Sequence, residues 1–196
     1  MQCVPTEVET ETTHSMITQT NLNGRPRGLM IFCPRKYCHN GVTDVLIEDL
    51  HAAGIENVLL DLDNTLVAWQ GHDIPKSIRE WITALQTAGI KLYLVSNTRH
   101  GRRLMALSAE LKIPYVKRAW KPRKQGFINA MKDLGAEPSK TIMIGDQMFT
   151  DIWGGNRLGI YTIMVRPMAR KEFLGTKISR AVEYVLLSWF RKKGHI

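Results

Sequence analysis

Apolar strands alternating with amphipathic helices from about residue 43 to residue 165 predict an α/β fold, a central parallel sheet joined by right-handed crossovers. Two observations carry that reading. Val58–Leu60 and the opening residues of Lys91–Thr98 and Thr141–Asp151 are continuous apolar runs, as strands buried on both faces require. Each run then ends in polar or acidic residues, where a strand leaves its sheet.

The elements follow in order. Residues 1–27 hold six threonines between Thr6 and Thr20 and no periodic apolar pattern, which predicts a disordered or loosely attached tail. Residues 28–196 are expected to form one domain, large enough for a single core. Leu29–Pro34 reads as a short strand or extended arm. Val42–Ala53 spaces Val45, Leu46, Leu50 and Ala53 as a helix, stopped at Gly54. After the Val58–Leu60 strand, Val67–Asp73 is an irregular excursion, and Ile74–Ala88 a helix with Pro75 in its first turn. Gly101–Leu111 and Pro122–Leu134 are further helices, the second ended by Gly135, with a short strand between them. Asp151–Leu158 is a short helix leading to the strand Ile160–Val165.

The last predicted element, Lys177–Lys193, places Ile178, Ala181, Val182, Val185, Leu186, Trp189 and Phe190 on one stripe, with Arg191, Lys192 and Lys193 at its end. Such a stripe docks on a core, or lies in a bilayer surface with its cations on anionic lipid. The two are compatible.

Composition narrows the function classes. No apolar run approaches a membrane span, and the N-terminus lacks a signal-peptide core. Cys3, Cys33 and Cys38 are an odd, sparse set, which predicts a cytoplasmic or organellar reducing compartment rather than a disulfide scaffold. The net charge of +9 is concentrated: residues 99–124 carry nine Lys or Arg against Glu110, and residues 166–196 carry eight against two acids. Both tracts favour an anionic partner, whether lipid headgroup, nucleic acid or small phosphate ester.

The chemistry gathers at the strand ends. Asp61 and Asp63 lie two residues apart on the same side of an extended backbone. Close carboxylates repel unless a cation or shared proton compensates them. Ser96 and Asn97 end the second strand, Asp146 ends the third with Asp151 beyond it, and Lys121 stands before the helix at Pro122. In open α/β sheets these strand ends share one crevice. Several carboxylates, a hydroxyl and a lysine suit a divalent cation and a phosphate.

These residues resemble the four motifs of the haloacid-dehalogenase-like (HAD) phosphatases, in that family's order: Asp61-Leu62-Asp63-Asn64-Thr65, then Ser96, then Lys121 (with Lys124 as the alternative), then Asp146 with Asp151. The resemblance covers about Thr43 to Val165 and is closest to the capless subclass IIIA, in the branch with phosphatidylglycerophosphate phosphatases. It implies a Rossmann-like three-layer HAD fold without a cap domain, since 33 residues separate Asp63 from Ser96 and 25 separate Ser96 from Lys121. It implies Asp61 as nucleophile, Asp63 as general acid and base, and Ser96, Asn97 and Lys121 as phosphate ligands. Mg²⁺ would sit on Asp61, Asp146 and the Asp63 backbone carbonyl, with Asp151 in support. Capless members tend toward large or surface-bound substrates, so the expected partner is a phosphate monoester on a lipid headgroup, with peripheral membrane contact. A soluble metabolite or nucleic-acid end is the alternative substrate, although no RNA-recognition motif or ladder of aromatics is present. A non-catalytic anion-binding protein is the alternative of another class.

Overall fold

Period-two alternation sorts the strand side chains onto two buried faces. The computed structural model describes residues 26, 28–116, 118–169 and 174–196, with the backbone alone for 174–180. Its strands are β1 (Lys36–Cys38), β2 (Asn57–Leu60), β3 (Lys91–Val95), β4 (Tyr115–Val116), β5 (Thr141–Gly145) and β6 (Tyr161–Val165). They form one parallel sheet in the order β1-β6-β5-β2-β3-β4. The helices are α1 (Ile47–Ala52), α2 (Lys76–Thr87), α3 (Gly101–Leu111), α4 (Lys124–Leu134), α5 (Trp153–Asn156) and α6 (Leu174–Lys192).

One sheet face, with Val58, Leu60, Leu94, Ile144 and Ile163, packs on Leu50 of α1, Trp81, Ile82 and Leu85 of α2, and Leu104 and Leu107 of α3. On the other, Leu59, Tyr93, Val95 and Met143 meet Phe127, Ala130 and Met131 of α4. Met164 continues that second face under α6, beside Met148, Ile152, Leu187 and Phe190. The result is three layers, and a one-residue slip in any strand would exchange the two cores.

The chain builds β2, β3 and β4 toward one edge, then returns to β5 on the other side of β2 and continues to β6. That reversal opens a crevice beyond the carboxyl ends of β2 and β5. Between β2 and β3 the chain supplies only a loop and α2, and between β3 and β4 only α3. No cap domain is inserted.

The structure departs from the sequence reading in five places. Gly28–Phe32 is a 3₁₀ turn rather than a strand, and the unexpected edge strand is β1. The helix expected over Val42–Ala53 is split into a 3₁₀ turn, Val42–Asp44, and α1; Val45 is extended and its carbonyl accepts the Trp81 indole N–H at 2.9 Å. The helix expected from Pro122 begins two residues later, at Lys124. The segment after β5 is a π turn, Met148–Ile152, that runs into the single α-helical turn of α5. Finally, α6 docks by a face that shares only the edge of the apolar stripe, at Leu186 and Phe190.

At 100° per residue, Glu183, Leu187 and Phe190 share a face about a third of a turn from the stripe's centre, and these three are buried. Glu183 is retained there because its carboxylate accepts the Met148 N–H at 3.0 Å. Arg191 caps the contact by lying over the Tyr37 ring, 5.1 Å from its centroid. Val182, Val185 and Trp189 are consequently exposed, Val185 to 65%. The 1–27 tail, residue 26 apart, and the Ile178 side chain lie outside the described residues. Phe190→Ala should cost about 3–5 kcal/mol, while Val185→Ser should change stability by less than about 0.5 kcal/mol. Urea unfolding of the two variants checks this, and the opposite ranking would mean that the stripe is the docked face.

Candidate active site

β2 delivers Asp61 directly: its N–H donates to the Ile144 carbonyl at 2.9 Å, one step beyond the strand pairing. The chain then turns sharply. Asn64 takes the left-handed conformation (φ 62°), which asparagine tolerates better than most residues, and its side-chain oxygen accepts the Trp69 N–H at 3.1 Å. This turn brings Trp69 and Gln70 to the crevice rim, where the Gln70 N–H donates to Asp63 at 3.2 Å.

β3 delivers Ser96, whose oxygen accepts the Thr98 N–H at 3.1 Å and keeps its own proton for another acceptor. Asn97 is engaged differently from a simple phosphate ligand. Its amide donates to the Lys121 carbonyl at 2.9 Å and accepts the Lys121 N–H at 2.7 Å. The side chain therefore clamps the lysine's backbone. Ala119 is held too, its N–H on the Ser96 carbonyl at 3.0 Å and its backbone against Gly126, where a Cβ would collide.

These restraints aim Lys121 rather than Lys124 into the site. The Lys121 ammonium is buried, 2.5 Å from Asp61 Oδ1 and 2.6 Å from Asp151 Oδ1. Burial alone would lower its pKa, but the carboxylates of Asp151 and Asp61 more than offset that and hold it above the ordinary lysine value. Burial pushes the Asp151 carboxyl up to about 6, with Lys121 opposing and Asp61 reinforcing the shift. Asp151 sits inside the π turn, where Oδ2 accepts the Gln147 N–H at 3.1 Å. A Cβ on Gly145 would strike that carboxylate, so only glycine fits there.

Asp61, Asp146 and Asp151 form a buried cluster whose ligand oxygens lie within 4.8 Å of one another. Thr65 Oγ1 lies 3.4 Å from Asp61 and 3.5 Å from Asp146. Asp63 is in an ion pair with Arg103 at 2.9 Å. Burial raises the Asp63 pKa, Arg103 lowers it and Asp61 raises it again, leaving it above the usual carboxylate range. Arg103, a buried residue of α3, also donates from Nε to the Gly71 carbonyl at 2.6 Å and so ties the turn after β2 to the helix after β3.

The crevice, about 340 Å³, is lined by Asp61, Asp63, Ser96, Asn97 and Lys121, and also by Trp69, Arg99, His100, Gln147 and Thr150. Sequence reasoning passed over this second set and Arg103. Only the density of cations after residue 98 hinted at any of them. Asp61, Asp63, Asp146 and Asp151 outnumber the cations Lys121, Arg103 and Arg99 around the crevice, and the clustered donors are hard carboxylate oxygens. That fits a divalent cation of the magnesium or calcium kind.

The model of the haloacid dehalogenase-like hydrolases matches residues 13–159, about three quarters of the chain. The chain belongs to the haloacid dehalogenase-like hydrolases. It is 35% identical over 165 residues to the "Probable phosphatase YqeG" of Bacillus subtilis, covering 84% of this chain and 95% of that protein. It is 30% identical to a chloroplastic/mitochondrial phosphatidylglycerophosphate phosphatase 1 of Arabidopsis thaliana, over 74% of this chain and 44% of the relative. A chloroplastic phosphatidylglycerophosphate phosphatase 1 of Chlamydomonas reinhardtii is also 30% identical, over 68% of this chain and 53% of the relative. The chain thus spans about half the length of these two relatives. Within its family this HAD protein is a phosphatase, and HAD phosphatases use a divalent metal.

The charge shortfall yields a binding prediction. Mg²⁺ at about a hundred times its dissociation constant should stabilise the fold by about 2.7 kcal/mol. Asp146→Asn should remove that response. Urea unfolding in Mg²⁺ and in chelator measures it; an equal shift in wild type and variant would exclude Asp146 as a ligand.

Proposed function

We propose that this HAD phosphatase is a Mg²⁺-dependent phosphate monoesterase that works through an aspartyl phosphate on Asp61 and removes the terminal phosphate of phosphatidylglycerophosphate. The observation that carries the catalytic part is the buried Asp61 carboxylate at the end of β2, held by Lys121 at 2.5 Å and clustered with Asp146.

The reaction follows from what each residue offers. An Asp61 oxygen attacks phosphorus, forming an O–P bond as the bond to the substrate alcohol breaks. Asp63, its carboxyl raised by burial, supplies the proton that the departing alkoxide takes. The resulting carboxylate then accepts a proton from water as that water attacks phosphorus, releasing phosphate and regenerating Asp61. The Ser96 hydroxyl and the Lys121 ammonium donate to the phosphoryl oxygens while charge builds on them. Asp61, Asp146 and the Asp63 backbone carbonyl would hold Mg²⁺, which when bound neutralises phosphoryl charge and offsets anion repulsion. Asp151 takes the supporting role, with one oxygen on Lys121 and the other accepting the Gln147 N–H.

Two relatives named as phosphatidylglycerophosphate phosphatases support the lipid substrate. So does the crevice, which no cap domain covers. The exposed Val182, Val185 and Trp189 of α6 support peripheral membrane contact, with Lys192 and Lys193 beside them for anionic headgroups. The docked face of α6 rests on Met148, one residue from the crevice-lining Gln147, which puts the helix next to a segment of the site. Among the described residues no helix is long and apolar enough to cross a membrane.

In mixed micelles of phosphatidylglycerophosphate, the wild type should release phosphate only with Mg²⁺, and Asp61→Asn should abolish release. Cleavage of an aryl phosphate without cleavage of the lipid would retain the phosphatase and redirect the substrate to soluble or nucleic-acid esters. Val185→Glu with Trp189→Glu should cut turnover of the micellar lipid at least tenfold while aryl phosphate hydrolysis persists. Equal turnover of lipid by variant and wild type would remove α6 from the interface.

A further inference from the structure

The crevice is continuous with a second hollow of about 280 Å³, lined by Asn97, Arg99, Arg118 and Trp120. Asn97 and Arg99 belong to both walls. Neither Arg99 nor Arg118 has a carboxylate partner among the described residues, whereas the nearby Arg103 is paired with Asp63. Two unpaired guanidinium groups in one hollow repel each other and attract an anion.

The backbone presents these side chains at a conformational cost. Arg118 and Trp120 both adopt φ 53°, a region that large side chains rarely occupy. Between them Ala119 is buried, fixed to the Ser96 carbonyl and packed on Gly126. The chain is thus anchored at one residue, with Arg118 and Trp120 on either side of it, and Trp120 is 58% exposed. An exposed indole beside two arginines, one residue from the buried Lys121, is not explained by folding. Strain of this kind is typical of ligand-binding segments.

We propose that this hollow is a second anion subsite. It takes a phosphodiester group of the same substrate whose monoester phosphate sits between Ser96 and Lys121. Arg99 and Arg118 pair with the diester oxygens, and guanidinium forks suit that planar, two-point recognition. Trp120 covers the carbon linker between the two phosphates. Because Asn97 and Arg99 line both spaces, the linker is short, of the order of a glycerol unit. The preferred substrate class is therefore a phosphate monoester on an alcohol that carries a nearby phosphodiester, as in a glycerophospholipid headgroup. This rests on the reading of the Asp61 crevice as the phosphatase site, and it assigns the residues that choose among esters there.

The test compares soluble substrates that each release a primary alkoxide, so that membrane binding plays no part and leaving-group reactivity is similar. kcat/KM is measured for glycerol 3-phosphate, for the deacylated headgroup glycerophosphoglycerol phosphate, and for a 5′-phosphorylated dinucleotide. The wild type should prefer the deacylated headgroup to glycerol 3-phosphate at least tenfold. Arg118→Gln should reduce that preference about tenfold, mainly through KM, Arg118→Lys should restore only the part that charge alone supplies, and the melting temperature of both variants should stay at the wild-type value. Absence of the preference in the wild type, or its survival in Arg118→Gln, would overturn the subsite. An arginine-dependent preference for the dinucleotide alone would overturn the headgroup class. Headgroup turnover with this arginine dependence but no turnover of intact lipid would leave the subsite standing and sink the membrane reading. Lipid turnover unaffected by Arg118→Gln would do the reverse.

Discussion

The site is organised around one buried ammonium, that of Lys121, held between the carboxylates of Asp61 and Asp151. A lysine so buried is costly unless its charge is compensated, and removing either carboxylate would leave an unpaired charge in a low-dielectric interior. Much of the local structure serves this contact. Asn97 grips the lysine's backbone from the end of β3, Ala119 is pinned between Ser96 and Gly126, and Gly145 leaves room for the Asp151 carboxylate. The ends of β2, β3 and β5 are thereby locked to one another through a side chain that belongs to none of them.

The same arrangement sets the electrostatics of the proposed reaction. Lys121 holds Asp61 in place without neutralising the whole cluster, since Asp61, Asp146 and Asp151 share one ammonium. Arg103 compensates Asp63, as Lys121 compensates Asp61, so the two carboxylates that the sequence places side by side have different cations. Each then has a distinct environment. One is paired with a lysine and available to attack, and the other has its carboxyl raised by burial and can give up a proton. Similar groups in unlike surroundings are how acid and nucleophile are told apart in carboxylate chemistry.

Much of this was legible from residue order alone. β2, β3 and β5 are buried on both faces, so their apolar runs are continuous, and α3 matches its predicted span to the residue. The four motifs lie next to strand ends, where polar residues interrupt such runs. What escaped notice depends on distance in the fold rather than along the chain. Arg103 reads as one cation in a basic tract, and only folding shows it buried against Asp63. The grip of the Asn97 side chain on the Lys121 backbone is set only when the loop carrying Lys121 folds against the end of β3. On α6 the apolar stripe is genuine, but a hydrogen bond from Met148 makes Glu183 a core residue and turns the helix onto another face. Binary patterning cannot anticipate a buried acid that finds a backbone donor.

The central claim is covalent: Asp61 carries the phosphoryl group between its removal from the substrate and its release to water. Asp63→Asn is the protein in which to look, because loss of the group that activates water slows breakdown of the intermediate, while an aryl oxide leaves readily without a proton and lets the intermediate form. Acid quenching during turnover of an aryl phosphate with Mg²⁺, followed by peptide mass spectrometry, reads the site of attachment. The account predicts one added phosphoryl group on the peptide containing Asp61, absent when Asp61 is also replaced by Asn. A phosphoryl group on another residue, or continued turnover by a protein that lacks Asp61, would contradict it.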